Sequence, residues 1–564
     1  MFPGMPCLDA EGNYMGPLPK MKGTPLIGKV DGKFRTAESA CWPPQLCEWV
    51  AMQFLTAFSN SERGTEQEQE QMMREEKKRE HGGQEQGPDG KKRRKEGEPC
   101  GDAPRRPEEG KEERKEVVEE DVDPFFPPVM GGVGAARGCI WKGNVVPFHD
   151  GGCLLSPGRW DLGKRVYPGG AKWAGLRARL RSLVAGKAGG EESLERECFS
   201  MARGDEGCRL VKDEGLEAAI VEELVKFCQG GEGLKDVAQG QPFRLSLMKA
   251  LLKEAGDGDC EFLEEAKAGL PLGVKSQMPR TPVAFEKQTE WSLVDDPTEE
   301  CELARSNYPS AAEHEGHLRS HLEAEVKEGL VEKLEVEEFE RRFGPDRAVA
   351  ALAVLVEDEE TGKKRVIHDA SHGVRVNHRI RCQDKLRMPG GREKRCLLEK
   401  FEKAKDVVFS LIGDFEKAHR RFKYCSREHG YLACKVSDSD PYVYVNKIGT
   451  FGVSSTPYWW SRLSGALLRL VHYLLGPEVP IEMLLYADDL ETMGLGKEGR
   501  KGLVLAYVLM AAMRAPFKWK KQRGGLQTEW IGLFTDYSRY ALGLSERRAS
   551  WLVSWMEGCA RRRL

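Results

Sequence analysis

The chain has 564 residues, enough for two or three domains, and although 31% are charged its formal net charge is only −3. Whole-molecule charge therefore says nothing about a nucleic-acid partner, and a basic groove would have to be a local feature. Sixteen cysteines without a CxxC pair argue against a zinc ribbon or knuckle. The longest apolar run, Leu503 to Met513, falls short of the ~18 residues of a spanning helix.

In chain order, residues 1–59 form a short segment with no assignment. It opens with no basic stretch followed by an apolar core, so no secretory leader and no disulfide framework are expected. The expectation is a soluble intracellular protein, nuclear or cytoplasmic. Residues 60–122 are Glu, Gln, Lys, Arg and Gly with hardly an aromatic or β-branched residue, which predicts a disordered charged linker. Inside it, Lys91 to Lys95 reads equally as a nuclear localisation signal and as a solvated stretch of that linker.

Residues 126–275 read as a weakly globular region of unknown function. Trp141, Trp160 and Trp173 sit among Gly and Pro, with helical stretches near Leu216–Cys228 and Pro242–Ala255. From Ala311, Leu318, Leu322, Val326 and Leu330 recur every four residues and predict an amphipathic helix. His314, His317 and His321 share a face of it. With no fourth ligand and charged surroundings, they read as a solvated face and not as a metal site. Two strands follow, Ala348–Val356 and Lys363–His368, joined by the charged turn Glu357–Gly362.

The sharpest signal is Tyr486-Ala487-Asp488-Asp489 between the apolar segments Ile481–Leu485 and Leu490–Gly494, a β-hairpin with acids at its tip. A bare turn favours Asn-Gly or Asp-Gly. Paired carboxylates repel unless a cation lies between them, the alternative being a solvated turn. Upstream, the apolar run Val407–Ile412 ends in Gly413-Asp414-Phe415, placing another acid at the end of a buried strand. Oxygen ligands so placed suit hard cations, and phosphoryl transfer uses two divalent ions about 3.5–4 Å apart.

Asp414-Phe415-Glu416-Lys417-Ala418-His419 resembles motif A of reverse transcriptases, and Tyr486-Ala487-Asp488-Asp489 resembles their motif C. Gly449 to Pro457 resembles motif B, Lys364 to Asp369 the fingers strand, Phe517 to Lys521 motif D, and Trp530-Ile531-Gly532 the primer grip of motif E. The style of motifs B and E is similar to DIRS-like and gypsy-like retroelement enzymes. The resemblance implies an α+β right-hand polymerase over residues 300–545. Its antiparallel palm sheet is backed by helices at 457–475 and 499–513, its fingers span about 340–400, and a short truncated thumb or tail occupies 546–564, where no ribonuclease H domain fits.

By the same resemblance, Asp414, Asp488 and Asp489 are the catalytic acids and the ligands of two Mg²⁺ ions (Mn²⁺ as a substitute), with Lys521 as general acid. Arg365, Phe415, His419 and Gly452 bind the dNTP, and Trp530, Ile531 and Gly532 hold the primer. Lys363 or Lys364 supplies a second cation. His419 stands where the family has Phe or Tyr as the sugar gate. In motif B, Gly452 lets backbone approach the nucleotide, and Ser455 or Thr456 caps a helix opening at Pro457. The implied partners are an RNA template, a DNA primer or duplex and dNTPs, with no membrane; oligomeric state is not legible. RNA-directed RNA synthesis, and a truncated or co-opted remnant that binds nucleic acid without chemistry, are the alternatives.

Overall fold

The computed structural model describes residues 166–561, apart from 205–208, 239, 282–286, 292, 294–300, 359–361, 385 and 387. It also describes four two-residue strands at 29–30, 33–34, 142–143 and 158–159. The expected linker at 60–122, its basic run, Trp141 and Trp160 lie outside the described residues. The chain divides into two compact units, Val129–Ser545 on one hand and Met1–Pro128 with Glu546–Leu564 on the other. No helix among the described residues is long and apolar enough to cross a membrane.

The larger unit opens with helices. In α1 (Gly170–Ala188), Trp173, Leu176, Leu180 and Val184 recur at helical spacing and are buried. Gly189, at φ 91°, ends it in the left-handed conformation that glycine adopts without a Cβ penalty. α2 (Glu191–Arg203) carries Glu191 and Glu192 in its first turn and Arg203 in its last, each sign matching the helix dipole. α3 (Glu214–Phe227) is capped by Asp213, whose carboxylate accepts from Leu216 N at 2.8 Å. α4 (Leu245–Glu254) and α5 (Phe262–Ala268) complete the group. These helices, within the region read as weakly globular, share one hydrophobic core with the later helices and strands.

α6 (Glu315–Lys327) buries Leu318 and Leu322 as its periodicity requires. β1 (Val331–Glu335), β2 (Val349–Asp358) and β3 (Lys363–Asp369) then enter a five-stranded sheet, in which β2 and β3 pair antiparallel with Leu355 opposite Arg365. α7 (Gly391–Ala404) leads to β4 (Val408–Asp414), buried throughout until Asp414. β5 (Ala433–Cys434) and β6 (Tyr442–Asn446) complete the five-stranded sheet in the order β1-β6-β5-β2-β3.

α8 (Ser455–Leu475) is buried at every residue except Pro457. Such all-round burial marks a central helix; a surface helix would expose one side. It begins two residues before the expected start because Ser455 and Thr456 do not cap it. Their hydroxyls pair with Tyr424 Oη at 3.0 and 2.9 Å. Arg469 of α8 forms a fully buried ion pair with Asp257 at 2.8 Å, joined by Tyr473 Oη at 2.9 Å, while Arg462 meets Asp259 at 2.5 Å. These pairs fasten α8 to the loop between α4 and α5.

β7 (Ile481–Tyr486), β8 (Asp489–Leu495) and β9 (Arg523–Gly525) form with β4 an antiparallel sheet ordered β7-β8-β4-β9. α9 (Gly496–Ala512) packs across β8 and β4, and α2 against β9. β10 (Gln527–Trp530), β11 (Leu533–Asp536) and β12 (Ala541–Leu544) make a three-stranded antiparallel sheet. In the other unit, the segment expected as thumb or tail holds one helix, α10 (Glu546–Arg561), with Trp551 and Trp555 stacked one turn apart at 6.4 Å.

Candidate active site

The β7–β8 register pairs Tyr486 with Asp489 and leaves Ala487-Asp488 as a two-residue turn. Ala487 takes φ 51°, a left-handed value that costs a residue with a Cβ about 1–2 kcal/mol. All three carbonyls of the tip are held. Trp460 Nε1 donates to Ala487 O at 2.7 Å, Phe415 N to Asp488 O at 2.9 Å, and Trp530 Nε1 to Asp489 O at 3.0 Å. Across the sheet, β8 pairs with β4 so that Asp489 stands opposite Asp414. Register therefore sets Asp489 and Asp414 on adjoining strands, with Asp488 in the turn beside them.

Their proximity has an electrostatic consequence. Burial, then the charges of Asp488 and Asp414, push the Asp489 carboxyl up to about 6, with Arg523 and Lys521 pulling the other way. Asp414 is compensated differently: Lys518 Nζ lies 2.7 Å from Oδ1 and Lys521 Nζ 3.0 Å from Oδ2. The chain between them is a 3-10 turn, Trp519–Lys521, and residues three apart in such a turn share a side. Lys521 thus lies against Asp414. Lys518 was missed, although its three-residue spacing from Lys521 was in the sequence. Among the described residues no three His, Cys, Asp or Glu side chains are gathered as a ready metal cage.

On the fingers side, Arg365 and Lys363 both pair with Glu357, at 2.8 and 2.5 Å, so these two cations share one face of β3. The Arg365 guanidinium lies 5.9 Å from the Phe451 ring centre. Phe451 meets the His419 imidazole edge-on at 4.7 Å and 69°. Burial holds the His419 pKa below its usual value, with Asp488 acting in the opposite direction. A cavity of about 280 Å³ opens beside these groups, and Lys364, Arg365, Lys417, Arg420, His321 and Phe451 are among its walls. His317 and His321 stack at 6.5 Å and line it too, so that face of α6 borders a cavity as well as solvent.

The Gly452 position requires glycine. Its φ is 88°, and a Cβ there would stand 1.9 Å from the His368 carbonyl oxygen. The close approach is to β3 of this chain, and Asn377 secures it. Its Nδ2 donates to Gly452 O at 2.6 Å and its Oδ1 accepts from Ser454 N at 2.8 Å. Gly449 is equally constrained, since a Cβ would lie 1.9 Å from His419 O.

Two expectations change. The Phe415 ring is fully buried, packed on Phe517 at 4.3 Å and Trp460 at 5.3 Å, so it offers no surface to a nucleotide. Trp530 is only 1% exposed and braces Asp489, so its ring does not face a primer. Ile531 and Gly532 form the two-residue turn beyond it, at φ 46° and 77°. Both values are positive, as in the turn that favours Asn-Gly, and a β-branched residue at the first position is strained.

No family model matches the chain, and no curated protein matches it. Among solved structures it is similar to the foamy viral protease-reverse transcriptase dRH in complex with double-stranded DNA, at 13% identity and TM-score 0.32, covering 50% of this chain and 41% of that one. The foamy viral protease-reverse transcriptase with double-stranded DNA matches at 11% identity and TM-score 0.32, over 51% and 52% of the two chains. The same protein with an RNA/DNA hybrid matches at 10% and 0.32, over 51% and 33%. The match thus spans about half or less of those proteins.

Proposed function

We propose that residues 300–545 catalyse template-directed nucleotidyl transfer, RNA-directed DNA synthesis from a primer 3′-hydroxyl, as part of a retroelement. The observation that carries this reading is the pairing of Asp489 opposite Asp414 at the acidic hairpin tip, where burial, and then the charges of Asp488 and Asp414, raise the Asp489 carboxyl to about 6. A solvated turn would not hold its acids in register against that repulsion.

The donor type suits two Mg²⁺ ions, with Mn²⁺ as a substitute, because carboxylate oxygens are hard ligands and Asp489 and Asp414 face each other on paired strands, although the three acids are not gathered into a cage here. Asp414, Asp488 and Asp489 would hold them, and when bound the ions would activate the primer hydroxyl and neutralise the triphosphate. Lys518 and Lys521 exchange Asp414 for substrate phosphate, and Lys521, the more exposed, delivers a proton to the departing pyrophosphate. Arg365 leaves Glu357 for the triphosphate, where a guanidinium binds phosphate oxygens in pairs. His419, steadied by Phe451, walls the sugar.

The test is dNTP incorporation on a primed poly-ribonucleotide template with Mg²⁺, beside Asp488→Ala, with rNTPs in parallel wells. Incorporation that vanishes in the variant supports the reading, and comparable use of rNTPs would move it to RNA synthesis. One observation favours a second reading: both oxygens of Asp414 are already neutralised by lysines. A wild-type chain that binds primer–template in a salt-sensitive way yet incorporates nothing is a binding remnant.

A further inference from the structure

Behind the acids lies a polar cluster that the proposed chemistry does not use. Glu491 sits on β8 two residues after Asp489, on the same side of the strand, and is completely buried. Its carboxylate accepts from Ser410 Oγ of β4 at 2.9 Å, Thr528 Oγ1 of β10 at 3.1 Å, Tyr537 Oη at 2.8 Å, and Lys394 Nζ of α7. Lys394 is also completely buried and donates to Tyr537 Oη as well. Its ammonium lies 6.0 Å from the Trp530 ring centre.

Burying a lysine and a glutamate costs several kcal/mol per ion, and apolar residues of similar volume often serve stability as well or better. What the charged pair adds is directional fixing. Its donors come from α7, β4, β10 and the segment after β11, so one carboxylate sets the three-stranded sheet against the acid-bearing strands. Trp530 belongs to that sheet and donates to the Asp489 carbonyl at 3.0 Å. The route from cluster to acid is thus short and rigid.

We infer that Glu491 and Lys394, with Tyr537, are positioning residues that hold Asp489 in its working geometry through Trp530. The inference rests on the polymerase reading for its kinetic consequence, but not for its structural one. A misplacement of about 1 Å can cost on the order of 100-fold in rate, so small loosening here is visible in turnover.

The experiment uses the full chain in two forms, Tyr537→Phe and the paired Glu491→Leu with Lys394→Met, each with and without Asp489→Asn. With Asp489 present, kcat on a primed ribonucleotide template is expected to fall about 10- to 100-fold while the dNTP KM stays within about twofold. The second readout needs no catalysis: denaturation midpoints at pH 8. Cluster and Asp489 substitutions should be non-additive, since the cluster fixes the acid. Folded variants with wild-type kcat and additive midpoints overturn the inference. Should the wild type incorporate nothing while the midpoints remain non-additive, the polymerase reading fails and the positioning role stands. Tyr537→Phe, which removes a single oxygen, keeps the test intact if the paired variant does not fold.

Discussion

Asp489→Asn should make the protein more stable at pH 8, and the gain should shrink as the pH falls. The folded chain holds the Asp489 proton up to about pH 6, against an ordinary carboxylate value of 3.8. Above both values the folded state must carry an ionised group it disfavours, so here folding loses stability as pH rises from the ordinary value through the raised one. At 1.36 kcal/mol per pH unit that rise is worth about 3 kcal/mol, or about 2 for a half-buried group open to solvent screening. Asparagine keeps the shape without the charge and recovers this amount. At pH 4.5 only about a third of it has developed, because the folded carboxyl is still protonated while the unfolded one is mostly ionised. Urea unfolding of both proteins in chelator at pH 4.5, 6 and 8 measures the gap, and other carboxylates cancel in the difference. Mg²⁺ at pH 8 should stabilise the wild type more than the variant, because a ligand of the folded state adds its binding energy. A gap that does not change with pH, or a variant less stable at pH 8, would refute an Asp489 carboxyl buried beside two other acids.

Other substitutions test the frame around it. Gly452→Ala should cost at least about 3 kcal/mol, combining a left-handed φ of 88° with a Cβ 1.9 Å from the His368 carbonyl, and thermal unfolding would register it. Asp257→Asn should cost about 3–5 kcal/mol by leaving the Arg469 guanidinium buried without its counter-charge, seen as a lower urea midpoint with unchanged m-value. Ala487→Gly should raise stability by about 1 kcal/mol by relieving φ 51°, and the same variant should lose turnover if that strain aims Asp488.

What the sequence disclosed was local. The apolar run ending at Asp414 and the two short apolar strands flanking the acids were legible from their composition, whereas the antiparallel sheet that joins them followed only from the family resemblance. The helical layer 170–268 was not legible as part of the same body, because what joins it to α8 is a pair such as Asp257 and Arg469, 212 residues apart. No window of sequence contains both partners. Phe415 and Trp530 were assigned to ligands because motif position says nothing about which way a ring turns. Both turn inward, one onto Phe517 and the other onto the Asp489 carbonyl. The start of α8 was misread for a similar reason. A Ser-Thr pair before proline caps a helix only if its hydroxyls are turned to the backbone N–H groups of the first turn, and here both pair with Tyr424.

Two hairpin tips beside the acids carry backbone costs. Ala487 and Ile531 both sit at positive φ, where glycine or asparagine would be at ease, and between them Asp489 bears the repulsion of two neighbouring acids. Against these costs stand two tryptophan N–H donors, a backbone N–H and a fully buried Lys–Glu pair, gathered around the acidic tip and the strands that carry it. Drift toward stability would put glycine at position 487 and an amide at 489, and apolar residues would fill positions 394 and 491. None of these has happened in this sequence. Strain that is kept and braced from several elements points to a geometry with work to do. The same reasoning weighs against the remnant reading, because binding alone needs phosphate contacts and not an acid held in its least comfortable place.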